Sequence, residues 1–147
     1  MDVIVDIDGT IADMRHRRHY VHGDGKKDWK TFYQEMINDD PICSVIRIVL
    51  AQSKEGHQII YCTGRPESYR VHTVAWLRNN ECPYGTLYMR EEKDNRKDYI
   101  TKEALFQRMI KDGYKPQLAL EDRDECVKLW RSLGIITLQN SMKEIPA

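Results

Sequence analysis

No apolar run in this sequence approaches the roughly 20 residues needed to cross a bilayer, so no membrane anchor is expected. The opening segment MDVIVDIDGTIA is apolar, but it carries three aspartates and no basic stretch, unlike a secretory leader. A protein made and kept in the cytoplasm is the expectation. No CxxC pair occurs either. Cys43, Cys62, Cys82 and Cys126 lie at long, irregular gaps, which argues against a zinc site or a disulfide framework and makes each a small buried hydrophobe. Neither sign of charge prevails: 23 Lys and Arg face 23 Asp and Glu. That balance argues against a histone-like binder held by bulk electrostatics, but leaves room for a protein that grips a few phosphates locally. Repeats, low-complexity tracts and linkers are missing as well.

What is present is a globular composition, 41% hydrophobic and 31% charged, over the length of one domain, residues 1–147. Short β-like runs alternate with longer helical ones, the pattern of an α/β fold with a parallel sheet of about five strands and helices on both faces. Val3-Ile4-Val5 reads as a central strand buried on both sides. Further strands are expected at 57–62, 86–89, 118–120 and 135–138. Helices are expected at 28–38, from Pro41 to Gly56, after Pro66, at 98–111 and at 124–133. Residues 13–40 form the one insertion large enough to make a small lid, following the first strand.

Chemistry concentrates at the ends of these strands. Asp6-Ile7-Asp8-Gly9-Thr10 follows the first strand directly. Side chains at i and i+2 share one face, so Asp6 and Asp8 converge at the carboxyl end of a buried strand, where open α/β sheets bind ligands. Adjacent buried anions require a cation, and few protein ligands plus a substrate phosphate suit Mg²⁺. Thr63-Gly64-Arg65 follows the second strand. A hydroxyl and an exposed amide there can hold a phosphate oxygen, although such a pair is also a common turn. Asp98 and Lys102 share one helix face: either a surface ion pair, or a cation oriented by Asp98 toward the same phosphate. Glu121-Asp122-Arg123-Asp124 follows the LAL strand, with Asp124 suited to a helix N-terminus and Asp122 to a metal.

The order of these motifs resembles the haloacid dehalogenase superfamily of phosphotransferases: DxDGT, then Thr or Ser, then Lys, then an acidic pair. The stretches CTGRPESYRVHTVAWL, MREEKDNRKDYITKEALF and LALEDRDECVKLWRSLGI look like the phosphatase domain of bacteriophage polynucleotide kinase/phosphatase, and this likeness covers nearly the whole chain. The resemblance implies a doubly wound, Rossmann-like sheet and an Mg²⁺-dependent phosphatase working through an aspartyl-phosphate. Carried over residue by residue, Asp6 resembles the nucleophile and Asp8 the general acid/base. Thr63 and Lys102 resemble phosphate ligands and Asp122 a metal ligand, while Arg17, Arg65 and Asp98 match further functional positions. Mg²⁺ would be shared by Asp6, the carbonyl of Asp8, and Asp122. Glu121 stands where the family usually has Asp, which leaves its role open. No GxxxxGK[ST] phosphate loop is present, so ATP-dependent phosphorylation is not expected.

A carboxyl that donates a proton needs a raised pKa, and a crowded, partly desolvated site is expected to provide it for Asp8. The implied substrates are 3′-phosphorylated DNA or RNA ends, with 2′,3′-cyclic phosphate as an extension. Free nucleotides or other small phosphomonoesters are the alternative. Residues 13–30 carry a local surplus of Arg and Lys that suits a second phosphate of an oligonucleotide or, equally, a solvated loop. Tyr20 and Trp29 are candidates to stack on a base, Trp29 also suiting the core of the lid helix. A homo-oligomer is compatible with so small a lid, and no residue demands one.

Overall fold

A computed structural model describes residues 1–141; the last six residues of the expected domain lie outside the described residues. Among the described residues there are seven strands and five helices, and the five strands of the main sheet and the helices follow the expected order. They are β1 (Asp2–Val5), β2 (Ala12–Asp13), α1 (Trp29–Gln34), β3 (Asp40–Pro41), α2 (Cys43–Lys54), β4 (Gln58–Pro66), α3 (Arg70–Asn79), β5 (Thr86–Arg90), α4 (Asp98–Lys111), β6 (Pro116–Glu121), α5 (Asp124–Ser132) and β7 (Ile136–Gln139). Five of the strands form one parallel sheet in the order β5-β4-β1-β6-β7. β1 is its centre because Val3, Ile4 and Val5 are β-branched and each is 0% exposed. Their alternation divides the core. Val3 and Val5 pack with Ile46, Val49, Trp76 and Leu77 of α2 and α3. Ile4 faces Leu105, Met109, Leu129 and Trp130 of α4 and α5.

From β1 the chain builds outward through β4 and β5, then returns to the other side of β1 for β6 and β7. The carboxyl ends of β1 and β6 therefore flank the point where the winding reverses, and such sheets open a crevice there. Asp6 continues the pairing for one residue, its N–H donating to the Leu120 carbonyl at 3.0 Å.

The structure departs from the sequence reading in four places. Pro41 lies not in the first turn of α2 but in β3, whose antiparallel pairing with β2 (Ala12 with Pro41, Asp13 with Asp40) closes the base of the 13–40 insertion. A residue without an N–H suits such a two-residue edge pair. The expected 28–38 helix tightens after Gln34 into a 3₁₀ turn, Glu35–Asn38. Its start is as expected, with the Asp28 carboxylate accepting the Thr31 N–H at 3.0 Å. β4 continues through Thr63 to Pro66, where a turn is expected, with an irregular register against β5 between Thr63 and Pro66. Finally, Cys62 and Cys126 are buried, but Cys43 at the head of α2 is exposed. Among the described residues no helix is long and apolar enough to cross a membrane.

Ile4 fills the interior between β1, α4 and α5. Ile4→Ala should cost about 2–5 kcal/mol in urea unfolding. A loss below about 1 kcal/mol would show that this face of the sheet is not the close-packed core described.

Candidate active site

Past Asp6 the backbone turns sharply: the amides of Thr10, Ile11 and Ala12 all point at the Ile7 carbonyl, at 3.1, 2.9 and 3.0 Å. Gly9 makes that turn at φ +85°, and a Cβ built there would overlap the Asp122 carboxylate. Glycine is thus required twice, for backbone conformation and for room. The Thr10 hydroxyl lies 2.8 Å from Asp6 Oδ2 and 3.3 Å from Asp122 Oδ1, tying the first strand's loop to the sixth's.

A second tie comes from α4. Lys102 is buried, and its ammonium lies 2.8 Å from Asp6 Oδ1, 2.8 Å from Glu121 Oε1 and 3.4 Å from Asp98 Oδ2. Its three hydrogens thus face three carboxylates. Asp98 and Lys102 share a helix face as expected, but the pair is internal, not a surface ion pair. The geometry also gives Glu121 its part. Oε1 accepts from Lys102 and from Trp130 Nε1 at 3.3 Å, and Oε2 accepts from the Asp122 amide at 3.1 Å. Glu121 therefore anchors the lysine and shapes the turn that presents Asp122. Burial would lower the Lys102 pKa, but Asp6, Asp98 and Glu121 outweigh it and hold the ammonium well above its ordinary value. Burial, with the Glu121 charge next, pushes the Asp6 carboxyl well up. Burial also raises Asp122, to about 6.

Asp8 belongs to a separate cluster. Arg65 grips it through Nη2 at 2.7 Å and Nε at 3.1 Å, and Arg17 Nη2 donates to the same carboxylate at 2.7 Å. Both guanidiniums are buried and both lean on Asp39. Arg17 reaches it from Nε (2.8 Å) and Nη2 (2.7 Å), and Arg65 Nη2 lies 3.4 Å away. Here the structure corrects an expectation. Burial does act to raise the Asp8 carboxyl, but Arg65 and Arg17 overcome it and hold it well below the usual carboxylate range. Arg17 and Arg65, also expected to bind phosphate or substrate, both engage Asp8. Arg65 also lines the cleft, while Arg17 is 0% exposed behind it. Thr63 is buried, with its hydroxyl accepting the Arg65 amide at 3.1 Å. Gly64 has no room for a Cβ against Asp98, and its carbonyl accepts from Arg90 Nε at 2.8 Å.

Sequence reasoning gave no part to Asp39, Arg90 or Asn140. Asp39 follows the lid's 3₁₀ turn and carries no local motif. Arg90 ends β5 and gathers the carbonyls of Gly64, Asp94 and Arg96. Asn140 donates to the Gly9 carbonyl at 2.8 Å, and its buried Oδ1 has no partner among the described residues. Thr10, by contrast, was in view within DxDGT.

These groups border a cleft of about 770 Å³ between the sheet ends and the 13–40 insertion. Carboxylate oxygens of Asp6, Glu121 and Asp122 all lie within 4.8 Å of one another. A set of hard oxygens fits Mg²⁺. Asp6 and Asp122 line the cleft, whereas both Glu121 oxygens are taken inside. The Asp8 carboxylate lies outside this group.

A doubly wound sheet with paired aspartates at its switch point, backed by a buried lysine, defines a phosphoric monoester hydrolase of the haloacid dehalogenase type. The model of the polynucleotide kinase PNKP phosphatase domain matches residues 1–144, and the chain belongs to that family. Over 145 residues it is 28% identical to an Autographa californica nuclear polyhedrosis virus protein named as a bifunctional polynucleotide kinase/RNA ligase, covering 97% of this chain and 19% of that one. A named nucleotidase of Oceanobacillus iheyensis is 36% identical over 77 residues, 50% of this chain and 41% of its own. A solved Pnkp1/Rnl/Hen1 complex contains a chain that superposes with TM-score 0.80 at 27% identity, over 98% of this chain and 47% of that one. CbbY from Rhodobacter sphaeroides, solved with phosphate, shares the fold at TM-score 0.69 and 11% identity, over 97% of this chain and 86% of its own. The chain thus spans a fifth to a half of the first relatives it matches.

A divalent cation held by Asp6 and Asp122 would compete with protons for them. With Asp122 raised to about 6, its proton must leave before metal binds below that pH. Calorimetric affinity for Mg²⁺ should weaken about tenfold per pH unit per displaced proton between pH 6 and 5, with proton release on binding. Affinity flat from pH 5 to 8 would contradict the assignment.

Proposed function

We propose that this domain is an Mg²⁺-dependent phosphatase that removes 3′-phosphate from nucleic-acid ends through an aspartyl-phosphate on Asp6. The observation that carries the reading is Asp6 itself: buried where it lines the cleft, it has one carboxylate oxygen fixed by Lys102 and the other by Thr10. Such a carboxylate has one orientation and little freedom to lose on reaction.

In the first step an Asp6 oxygen bonds to phosphorus as the bond from phosphorus to the sugar oxygen breaks. Asp8 gives that oxygen its proton, and it departs as an alcohol. In the second step a water hands a proton to Asp8 as its oxygen bonds to phosphorus. The bond to Asp6 then breaks, freeing phosphate and restoring the carboxylate. The arginine grip favours the anionic form of Asp8 that accepts this second proton. The negative charge of an incoming phosphate offsets that grip and favours the protonated form needed first.

Asp6, Asp122 and the Asp8 carbonyl would hold Mg²⁺, which would supply positive charge against the repulsion between carboxylate and phosphate. Thr63, Gly64 and Arg65 border the phosphate on the β4 side. Lys102 stands on the other side of Asp6 as the phosphate's cation, 3.4 Å from Asp98. Asp98 then orients the lysine, and Arg17 acts through Asp8. The substrate reading draws on relatives named for polynucleotide chemistry. It also draws on a cleft whose outer wall carries Arg15, Arg18, Lys27, Arg96, Lys97 and Arg123. The nucleotidase likeness over half the chain favours a second reading, hydrolysis of free nucleotides at the same site.

Mg²⁺-dependent phosphate release should be fastest from a 3′-phosphorylated oligonucleotide, slower from a 3′-mononucleotide and slowest from a 5′-mononucleotide. A strong preference for the last would defeat the end-healing reading. Asp6→Asn should lower turnover by about a thousandfold or more, with an unchanged circular dichroism spectrum. Wild-type rates from that variant would remove Asp6 from the chemistry.

A further inference from the structure

The lid presents an aromatic wall to the cleft that the chemistry above leaves unused. α1 carries Trp29 and Tyr33 one turn apart, and their rings stack with centroids 6.0 Å apart at 26°. Both line the same cleft as Asp6 and Asp8. Tyr33 is the inner of the two. Its ring packs on Phe32 at 5.1 Å and Tyr69 at 5.0 Å, and its phenol feels the charges of Arg90, Asp8 and Asp98. Its hydroxyl makes no hydrogen bond among the described residues. Trp29 is the outer one and is 48% exposed, where lid core is expected from sequence; the other tryptophans, Trp76 and Trp130, are 3% and 1% exposed. The indole is held edge-on by Phe32 at 5.6 Å, and the Lys27 ammonium hovers 5.9 Å from its ring. A braced, half-exposed indole beside cations fits a flat, polarisable ring attached to a phosphate chain.

We propose that α1 is the nucleoside subsite of this cleft. Trp29 stacks on the terminal base of the 3′-phosphorylated strand, and the Tyr33 hydroxyl donates a hydrogen bond to the sugar–phosphate nearer Asp8. The inference rests on the end-healing reading and adds what selects a nucleotide over a bare phosphate ester. Stacking accepts every base, so the subsite confers preference for a nucleoside without preference for sequence.

The test compares Trp29→Ala, Trp29→Leu and Trp29→Phe with wild type on three substrates. These are a 3′-phosphorylated oligonucleotide, the same strand ending in an abasic 3′-phosphate, and a 3′-mononucleotide. For Ala and Leu the KM should rise about ten- to a hundredfold on the two substrates with a terminal base, kcat staying within about threefold. Phe should recover most of the loss, and the abasic end should lose less than about threefold. Leu keeps apolar bulk on the lid, so a defect shared by Ala and Leu but not Phe reports the ring rather than the fold. Tyr33→Phe should also raise KM on the base-bearing substrates. Equal losses on the abasic and intact ends, or no loss on either, would overturn the subsite. A loss confined to the oligonucleotide would overturn its assignment to the terminal base.

A second readout does not depend on turnover. In Asp6→Asn, the 3′-phosphorylated oligonucleotide should quench tryptophan fluorescence, and the added Trp29→Phe should remove the quench, because the other two indoles are buried. A quench that survives would overturn the stacking. Wild-type enzyme inactive on all 3′-phosphates would instead defeat the end-healing reading, leaving the quench to decide the subsite.

Discussion

Lys102 reaches from the second turn of α4 to the carboxyl ends of β1 and β6, where it meets Asp6, Glu121 and Asp98. Two of those carboxylates leave neighbouring strands of a buried sheet, and without a cation between them their repulsion and desolvation would open the sheet end. Removing one partner from such a buried pair costs about 3–5 kcal/mol. The same contact that holds the strands together also aims Asp6. On the proposed mechanism, fold and reactivity depend on one ammonium.

Counting charges around it explains the rest of the cleft. Asp6, Asp98, Glu121 and Asp122 crowd Lys102, and of these four the additional cations, Arg90 and Arg123, pair only with Asp98, at 3.5 and 3.6 Å. Negative charge is therefore left over at Asp6 and Asp122, on the side facing the cleft. The neighbouring cluster is balanced, with Arg17 and Arg65 against Asp8 and Asp39. The candidate site is thus two electrostatic units. One is short of positive charge and suited to a metal. The other is neutral and tuned to hold a single carboxylate. The loop Ile7–Ala12 separates them, and Gly9 lets Asp122 approach that loop.

Much of this was legible in residue order. The β-branched run of β1, the DxDGT that follows it, and the acidic residues after β6 are local features, and local features survive in one dimension. The motif order Asp6, Thr63, Lys102, Asp122 could be read because a doubly wound sheet gathers strand ends. Contacts spanning the lid could not. Asp39 meets Arg17 across 22 residues, through a two-residue strand pair and a 3₁₀ turn that leave no periodic signal. The direction of the Asp8 shift failed for the same reason: crowding was visible, but the two guanidiniums supplying it were not. Glu121 was ambiguous in sequence because its partners, Lys102 and Trp130, lie on two different helices.

The account stands on the covalent step at residue six. The most direct measurement is acid quenching during turnover of a substrate with a labelled 3′-phosphate, followed by peptide mapping. The account predicts label on the peptide bearing Asp6, chased away by continued incubation and missing from Asp6→Asn. Label on another residue, or turnover with no protein-bound phosphate at any quench time, would contradict it.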